Sequence, residues 1–400
     1  MADYQSLNDV LKAINKKYGD EKNKVAQFGV DSVVKFGTLS LGSPSLDFCL
    51  YNSLPEGKMI EISGSESSGK TTICFLIASD YIRKELERHP ENPRHILFVD
   101  AECAADPDWA KKSTGYDMNR TDVRTLYIAP SGQSAEQIFD MVIDAVKTGE
   151  IGLVIFDSLT AIVSQQIADE SMEKKDMGGI AKPLGDFCKK ITGILNKNRT
   201  TFIGINGVTE NIGGYGEAEI TPGGRTWKRA CMVRVRMKRG DFFNADGDIV
   251  NKTVSSPAGH IIQMAVYKTK VCDWDRKIGT CHLNYSRGID ILADTIDVAT
   301  YFGLIDNSVQ GTFKMVNPDT GEIICDDAGN EVKIRGKKNL KPYFEEHPKL
   351  WKALYDKVYE LMSIKSNPNM VAFNSMLKSL NENPDEVTGF SLASANMDEM

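Results

Sequence analysis

The chain has 400 residues, 41% of them hydrophobic, and a formal net charge of −7. That length supports one large core with one or two smaller units, no apolar run approaches the roughly 18 residues of a membrane span, and the N-terminus MADYQSLNDVLKAINKK lacks the apolar middle of a signal peptide. The negative balance argues against nucleic-acid binding over the whole surface, though not against a basic region gathered in one place, and eight scattered cysteines without a CxxC pair argue for a cytoplasmic chain and against structural zinc.

The first predicted element is a helix over residues 6–17, where Leu7, Val10, Leu11 and Ile14 recur at helical spacing. A helix this short is marginal alone and must dock on something. Spacing leaves two options open, its own core or a neighbouring subunit. A polar stretch, Tyr18–Gln27, separates it from the rest.

From about residue 33 to 290, apolar strands alternate with helical segments. KMIEIS precedes TTICFLIASDYIRKEL, and HILFVD precedes a helix near 107–114. LYIA precedes AEQIFDMVIDAVK, IGLVIFD precedes a further helix, and TTFIGIN opens into a loop. This order predicts an α/β fold, a parallel sheet covered by helices on both faces. From about 230 strand follows strand (CMVRVRMK, HIIQMAVYK, GTCHLNYS), which predicts an antiparallel extension of the sheet. Residues 291–365 read as a small α+β unit, with a helix near 291–303, a hairpin around Asp319–Gly321 and Asp327–Asn330, and a helix near 348–363. The Asn-, Ser- and Pro-rich tail beyond Lys365 reads as disordered. The expected division is 1–36, 37–290, 291–365 and 366–400.

The strongest local signal is Gly64-Ser65-Glu66-Ser67-Ser68-Gly69-Lys70-Thr71, followed by Thr72. It is a GxxxxGK[ST] phosphate-binding loop between a predicted strand (58–63) and a predicted helix from Lys70. Glycines let the backbone wrap the phosphates, and the helix N-terminus adds positive potential. Lys70 suits the β- and γ-phosphates, and the Thr71 hydroxyl suits Mg²⁺. Asp157 ends an apolar strand and suits the same metal through a bridging water. Many buried strands end in Asp, so this signal gains its weight from the phosphate loop beside it. Glu102 lies just past the end of the strand His95–Asp100, at the edge where open α/β sheets bind ligands. A carboxylate there suits activation of an attacking water; a solvated surface glutamate is the plainer alternative.

Residues 225–239, RTWKRACMVRVRMKR, hold seven Arg or Lys and no acid. Arg234 and Arg236 alternate with Val233 and Val235, so both share one strand face, an arrangement suited to phosphates. Residues 204–224 carry seven glycines and predict a long loop at the tip of TTFIGIN. A second loop, 164–178, follows the Asp157 strand and leads towards Lys182, Lys189 and Lys190. Two loops at one sheet edge, each leading into basic residues, suit a DNA channel.

With these residues in place, the chain resembles the bacterial RecA recombinase family over residues 5–365. The resemblance rests on Thr38-Leu-Ser-Leu-Gly-Ser-Pro-Ser-Leu-Asp47, Leu54-Pro-Glu-Gly57 with Ile60-Glu61, and the phosphate loop written GSESSGKTT. It continues through Asp100-Ala-Glu102, Ala105-Asp-Pro107, Phe156-Asp157-Ser158, Met177-Gly178, Pro222-Gly-Gly224 and Lys268-Thr-Lys270. It implies a P-loop NTPase core of the RecA type and an ATP-dependent strand-exchange protein. Such a protein forms helical filaments on single-stranded DNA and pairs it with homologous double-stranded DNA, with ATP and Mg²⁺ as cofactors and single-strand-binding and mediator proteins as further partners. Glu102 is then the base that activates water, and Asp106 and Trp109 match the adenine contacts, an indole replacing the usual tyrosine. Lys268 and Lys270 match lysines that reach the ATP of the adjacent protomer. The first helix, with a strand near Val33–Phe36, matches the element that docks on a neighbour. Met177, Gly178, Lys182, Lys189, Gly223, Gly224, Arg225 and Arg234 are the expected DNA contacts.

One departure stands out. The strand tip reads Ile205-Asn206-Gly207, where the family has Asn-Gln, and that glutamine senses the γ-phosphate. Gly207 has no side chain to do so, which leaves Asn206 as the candidate. The second loop and the tail also diverge from chromosomal members, as suits a phage or mobile-element copy. Helicases and non-DNA ATPases built on the same core are the alternatives; the first needs a large N-terminal domain, and the second has no use for the basic 225–239 stretch.

Overall fold

The computed structural model describes residues 6–19, 37–52, 54–169, 179–211, 219–245, 247–251, 256–273, 275–317, 320–325 and 329–363. In chain order the elements begin with α1 (Leu7–Tyr18), β1 (Thr38–Leu39), α2 (Pro44–Cys49), β2 (Leu54–Pro55) and β3 (Met59–Gly64). Next come α3 (Lys70–Arg88), β4 (His95–Asp100), α4 (Pro107–Thr114), β5 (Thr125–Ile128), α5 (Ala135–Lys147) and β6 (Ile151–Asp157). They are followed by α6 (Gln165–Asp169), α7 (Ala181–Asn198), β7 (Thr201–Asn206), β8 (Thr209–Glu210), β9 (Glu219–Ile220) and α8 (Gly224–Ala230). Then come β10 (Val233–Phe243), β11 (Ile249–Val250), β12 (Gly259–Lys268), β13 (Ile278–Asn284) and β14 (Gly288–Ile289). The last are α9 (Ile291–Tyr301), β15 (Ile305–Val309), β16 (Thr312–Met315), β17 (Lys333–Arg335), α10 (Leu340–Glu346) and α11 (Pro348–Met362).

The central sheet runs β14-β13-β12-β10-β3-β7-β6-β4-β5, with β11 paired to β10. From β10 to β5 all neighbours are parallel. From β10 to β14 all are antiparallel. The strand Val233–Phe243 is therefore the joint between the two halves of the predicted fold, parallel to β3 on one side and antiparallel to β12 on the other. The parallel strands are apolar on both faces because both faces are covered. Ile96 and Phe98 of β4 enter the core under α3 and α4, and Leu97 and Val99 enter the core under α5 and α7. Phe139 of α5 stacks on Phe187 of α7 with ring centroids 4.4 Å apart, which fixes these two helices as one layer. A capping box at Ser134 and Gln137 starts α5.

Residues after Asp290 build a separate apolar core around Ile296, Leu340, Phe344 and Val358. It includes a sheet β15-β16-β17 in place of the single predicted hairpin. Bridges Val316–Ile323 and Cys325–Glu331 extend it, while Asp319 and Asp327 lie outside the described residues. Tyr359 of α11 donates to Asp47 Oδ2 at 2.8 Å, and Ser43 donates to Asp294 Oδ2 at 2.6 Å. These buried bonds tie the C-terminal elements to α2.

Helix α1 forms where the spacing puts it, with Ser6 as its N-cap, and none of its residues is buried. The expected strand at Val33–Phe36 and the tail from residue 364 lie outside the described residues. All eight cysteines are free, and no group of His, Cys, Asp and Glu among the described residues is arranged to hold a metal by itself. No helix of the described residues is long and apolar enough to cross a membrane.

Candidate nucleotide and DNA site

Strand β3 delivers the chain to the phosphate loop, and α3 begins at Lys70. Gly69 sits at φ +87°, a left-handed conformation that favours glycine, and a Cβ there would come within 2.5 Å of Ile262 Cδ1. Inside the loop, Ser68 Oγ and Lys70 Nζ both donate to the Ser65 carbonyl, at 2.8 and 2.7 Å. Burial holds Lys70 below the usual lysine range, against the pull of Asp157, Glu102 and Glu66. Thr71 Oγ1 donates to Asp157 Oδ2 at 2.7 Å. Asp157, nearly buried at the end of β6, is raised to about 6, first by burial and then by Glu102 and Asp100, with Thr71 and Lys70 opposing. An alcohol and a carboxylate this close form a hard-oxygen pair. That is the donor chemistry Mg²⁺ takes when one or two protein oxygens share it with substrate phosphates.

Register sets the second carboxylate. Asp100 of β4 lies opposite Asp157 of β6. Asp100 is buried and accepts from the amides of Ala104 and Ala105, at 3.2 and 2.9 Å, and from Tyr127 Oη at 2.6 Å. These bonds order the turn that carries Glu102 out past the strand. Ser158, next after Asp157 and buried, donates to Glu102 Oε1 at 2.5 Å. Asp106 caps α4 by accepting from the Trp109 amide at 2.9 Å. The Trp109 indole reaches Thr72 Oγ1 at 3.5 Å, so the aromatic flank borders the first turn of α3. Lys70, Thr71, Thr72, Asp157, Glu102 and Trp109 thus come together at the C-terminal edge of the parallel strands, where α/β sheets place ligands.

The basic stretch folds differently from its reading as an open row. Arg234 lies opposite Glu61 in the β10–β3 register. Its Nε donates to Glu61 Oε2, and its terminal nitrogen donates to Thr221 Oγ1 at 2.9 Å. Glu61 is fully buried and also accepts from Trp227 Nε1 at 2.7 Å and Asn206 Nδ2 at 2.9 Å. A buried carboxylate demands such partners, so Arg234 serves the core. Arg236 is buried too, over the Tyr267 ring at 4.0 Å, and donates to the Tyr267 hydroxyl at 2.8 Å. Asn206 donates its amide nitrogen to Glu61 and to the Pro222 carbonyl at 3.0 Å. Its Oδ1 is buried without a hydrogen-bond partner among the described residues.

Gly223 and Gly224 open α8 at φ +102° and +75°, and a Cβ at Gly223 would press on Leu184 at 2.8 Å. Their glycine character answers to this turn and to the packing of α8 on α7. Arg225 and Lys182 stand exposed beside them. Lys189 pairs with Asp186 at 2.9 Å. Met177 and Gly178 lie outside the described residues, and of the loop 164–178 the described part holds the short helix α6. Lys268 donates to the carbonyls of Lys228, Arg229 and Cys231, at 2.7, 3.1 and 2.6 Å, and so caps the C-terminus of α8 within its own chain. Lys270 is exposed. Sequence reading missed Asp100, Ser158 and Glu61 as organisers of the site. All three stand in motifs that carry the resemblance, but their roles depend on positions at strand ends or opposite an arginine, and those positions need the register.

Comparison with known proteins follows this geometry. The family described as RecA N-terminal domain matches residues 5–290. A Protein RecA of Enterococcus faecalis is 30% identical over 348 residues, covering 86% of this chain and 88% of its own length. A Protein RecA of Mycoplasma mobile is 29% identical over 369 residues, covering 92% and 99%. A Protein RecA of Lactobacillus acidophilus is 28% identical over 362 residues, covering 90% and 88%.

Proposed function

The chain belongs to the RecA family, and we propose that it is an ATP-dependent recombinase that forms helical filaments on single-stranded DNA and exchanges strands with a homologous duplex. The carrying observation is the convergence of Lys70, Thr71, Asp157 and Glu102 at one sheet edge, from which both candidate DNA loops also leave. Lys70 would neutralise the phosphates of bound ATP. Thr71 and Asp157 would hold Mg²⁺, which supplies charge neutralisation on the phosphate oxygens. Glu102, tethered by one oxygen to Ser158, would take the proton of the attacking water.

Self-association is supported by α1, an amphipathic helix with no fully buried residue among the described residues and with Leu7 exposed. We assign it, with residues to 36, to a polymerisation arm, 37–290 to the ATPase and DNA core, 291–365 to the small C-terminal unit and 366–400 to a tail. Of the expected contacts, Arg225, Lys182 and Lys270 are exposed and would meet DNA or a neighbour's nucleotide; Lys268 would have to leave its capping carbonyls to do so. The same reading puts the protein in the cytoplasm and leaves single-strand-binding and mediator proteins as its expected partners. ATP hydrolysis that rises with single-stranded DNA, together with joint-molecule formation between homologous DNAs, would support this function. Unwinding without pairing would replace it with a helicase.

A further inference from the structure

Three strand ends meet at one side chain. Glu102 follows β4, Ser158 follows β6, and Gly207 follows β7. Thr160 touches two of them and reaches the third in one step. Its Oγ1 lies 2.9 Å from Ser158 Oγ, and Ser158 donates to Glu102 Oε1 at 2.5 Å. A serine hydroxyl has one proton. Ser158 gives that proton to the carboxylate, so in the contact with Thr160 it must accept, and Thr160 is the donor. The result is a directed chain, Thr160 to Ser158 to Glu102, in which each bond strengthens the next. It holds Oε1 of Glu102 and leaves Oε2 without a hydrogen bond among the described residues.

The other side of Thr160 faces the root of the second loop. A Cβ added to Gly207 would come within 3.3 Å of Thr160 Cγ2 and 3.4 Å of Oγ1. The backbone is tied here as well, since the Leu159 amide donates to the Ile205 carbonyl at 2.9 Å. Thr160 itself is exposed, five residues before Gln165, where α6 begins. It therefore stands between the two loops and the carboxylate.

We propose that Thr160 is a positioning residue, which aims Glu102 through Ser158 and passes displacement of the second loop at Gly207 to that carboxylate. This rests on the reading of Glu102 as the base. The test uses full-length Thr160→Val, Thr160→Ser, Gly207→Ala and Glu102→Gln, with ATPase rates with and without poly(dT) and direct nucleotide binding. Thr160→Val keeps the shape and removes the donor, so kcat falls roughly three- to tenfold while KM and nucleotide affinity stay. Thr160→Ser restores the donor and with it kcat, a rescue that a packing role would not give. Gly207→Ala crowds Thr160 and lowers the ratio of DNA-stimulated to unstimulated rate. If Glu102→Gln is slow but Thr160→Val turns over like the parent, or if Thr160→Ser fails to rescue, the positioning role is overturned and the base survives. An unchanged ratio in Gly207→Ala overturns the link to the loop. If Glu102→Gln hydrolyses ATP at the parent rate, the base reading falls and the proposal falls with it.

Discussion

The Thr71 hydroxyl donates to Asp157 Oδ2 at 2.7 Å and so joins the first turn of α3 to the end of β6. Two oxygens from elements 86 positions apart in sequence thereby form one hard-ligand pair beside Lys70. Asp157→Asn keeps the shape and removes the charge. Mg²⁺-dependent nucleotide binding should weaken about 10- to 100-fold, the usual loss when a group behind a metal is altered. Titration of nucleotide binding against Mg²⁺ measures it; an unchanged Mg²⁺ requirement would count against Asp157.

Lys70→Ala removes the one cation inside the phosphate loop, where its ammonium now rests on the Ser65 carbonyl. Nucleotide binding should be lost while the fold is kept, because Lys70 makes no buried ion pair. Equilibrium binding of a fluorescent nucleotide, with circular dichroism as the control, decides this.

Glu102→Gln retains the size of the side chain and its contact with Ser158 but cannot take a proton. Turnover should drop by roughly 10² to 10⁴, while ATP binding and filaments on single-stranded DNA persist. Single-turnover hydrolysis and negative-stain imaging read the two arms separately.

Arg234→Ala should act on stability first. It strips the fully buried Glu61 of its cation and leaves Trp227 and Asn206 as donors. Breaking a buried pair from one side costs about 3–5 kcal/mol, measurable as a lower urea midpoint. Arg225→Ala, on the exposed start of α8, should leave that midpoint in place and weaken single-stranded DNA binding. The opposite pattern, in which Arg234→Ala loses DNA affinity at full stability, would return Arg234 to the DNA surface.

Asp47 gives stability a pH dependence. It is buried among donors from Ser40, the Leu41 amide and Tyr359, with Asp80 nearby, and burial raises it to about 6. A carboxyl raised in the fold binds its proton more tightly there than in the unfolded chain. Its protonation therefore stabilises the fold, an effect complete below about 4 and lost as pH rises through about 6. Asp294, also raised to about 6 mainly by burial, acts in the same sense, and so does His282, which Asp294 raises. The melting temperature should rise between pH 7 and 5.5, and Asp47→Asn should show a smaller rise. An equal rise in both proteins would exclude Asp47 as a source.

The fold was legible because its signals are local. Gly64–Thr71 lies between an apolar strand and a helix, and Leu153–Asp157 ends where the sheet does. The roles of Arg234 and Arg236 were not legible, since charge along one strand says nothing about what lies opposite. Glu61, 173 positions away, becomes the partner of Arg234 only through the β3–β10 register. Lys268 is matched by the resemblance to a lysine that reaches the adjacent protomer's ATP; within its own chain its neighbours are carbonyls of a helix end that the sequence cannot place. Ser158 is named within a family motif but given no role, because its hydrogen bond to Glu102 exists only once β4 and β6 are adjacent.

No residue of helix α1 is fully buried; Val10, Leu11 and Ile14 are half-buried and Leu7 is 67% exposed. Leu7, the wet end of its oily stripe, adds little to the free energy that keeps a solitary molecule folded. If the helix is the proposed polymerisation arm, a second molecule would dry that end, and its free energy would belong to assembly and scale with how many molecules share the volume. On that reading the opening residues would work as a concentration gauge: dilution would strand them in water, and crowding would turn them into an adhesive.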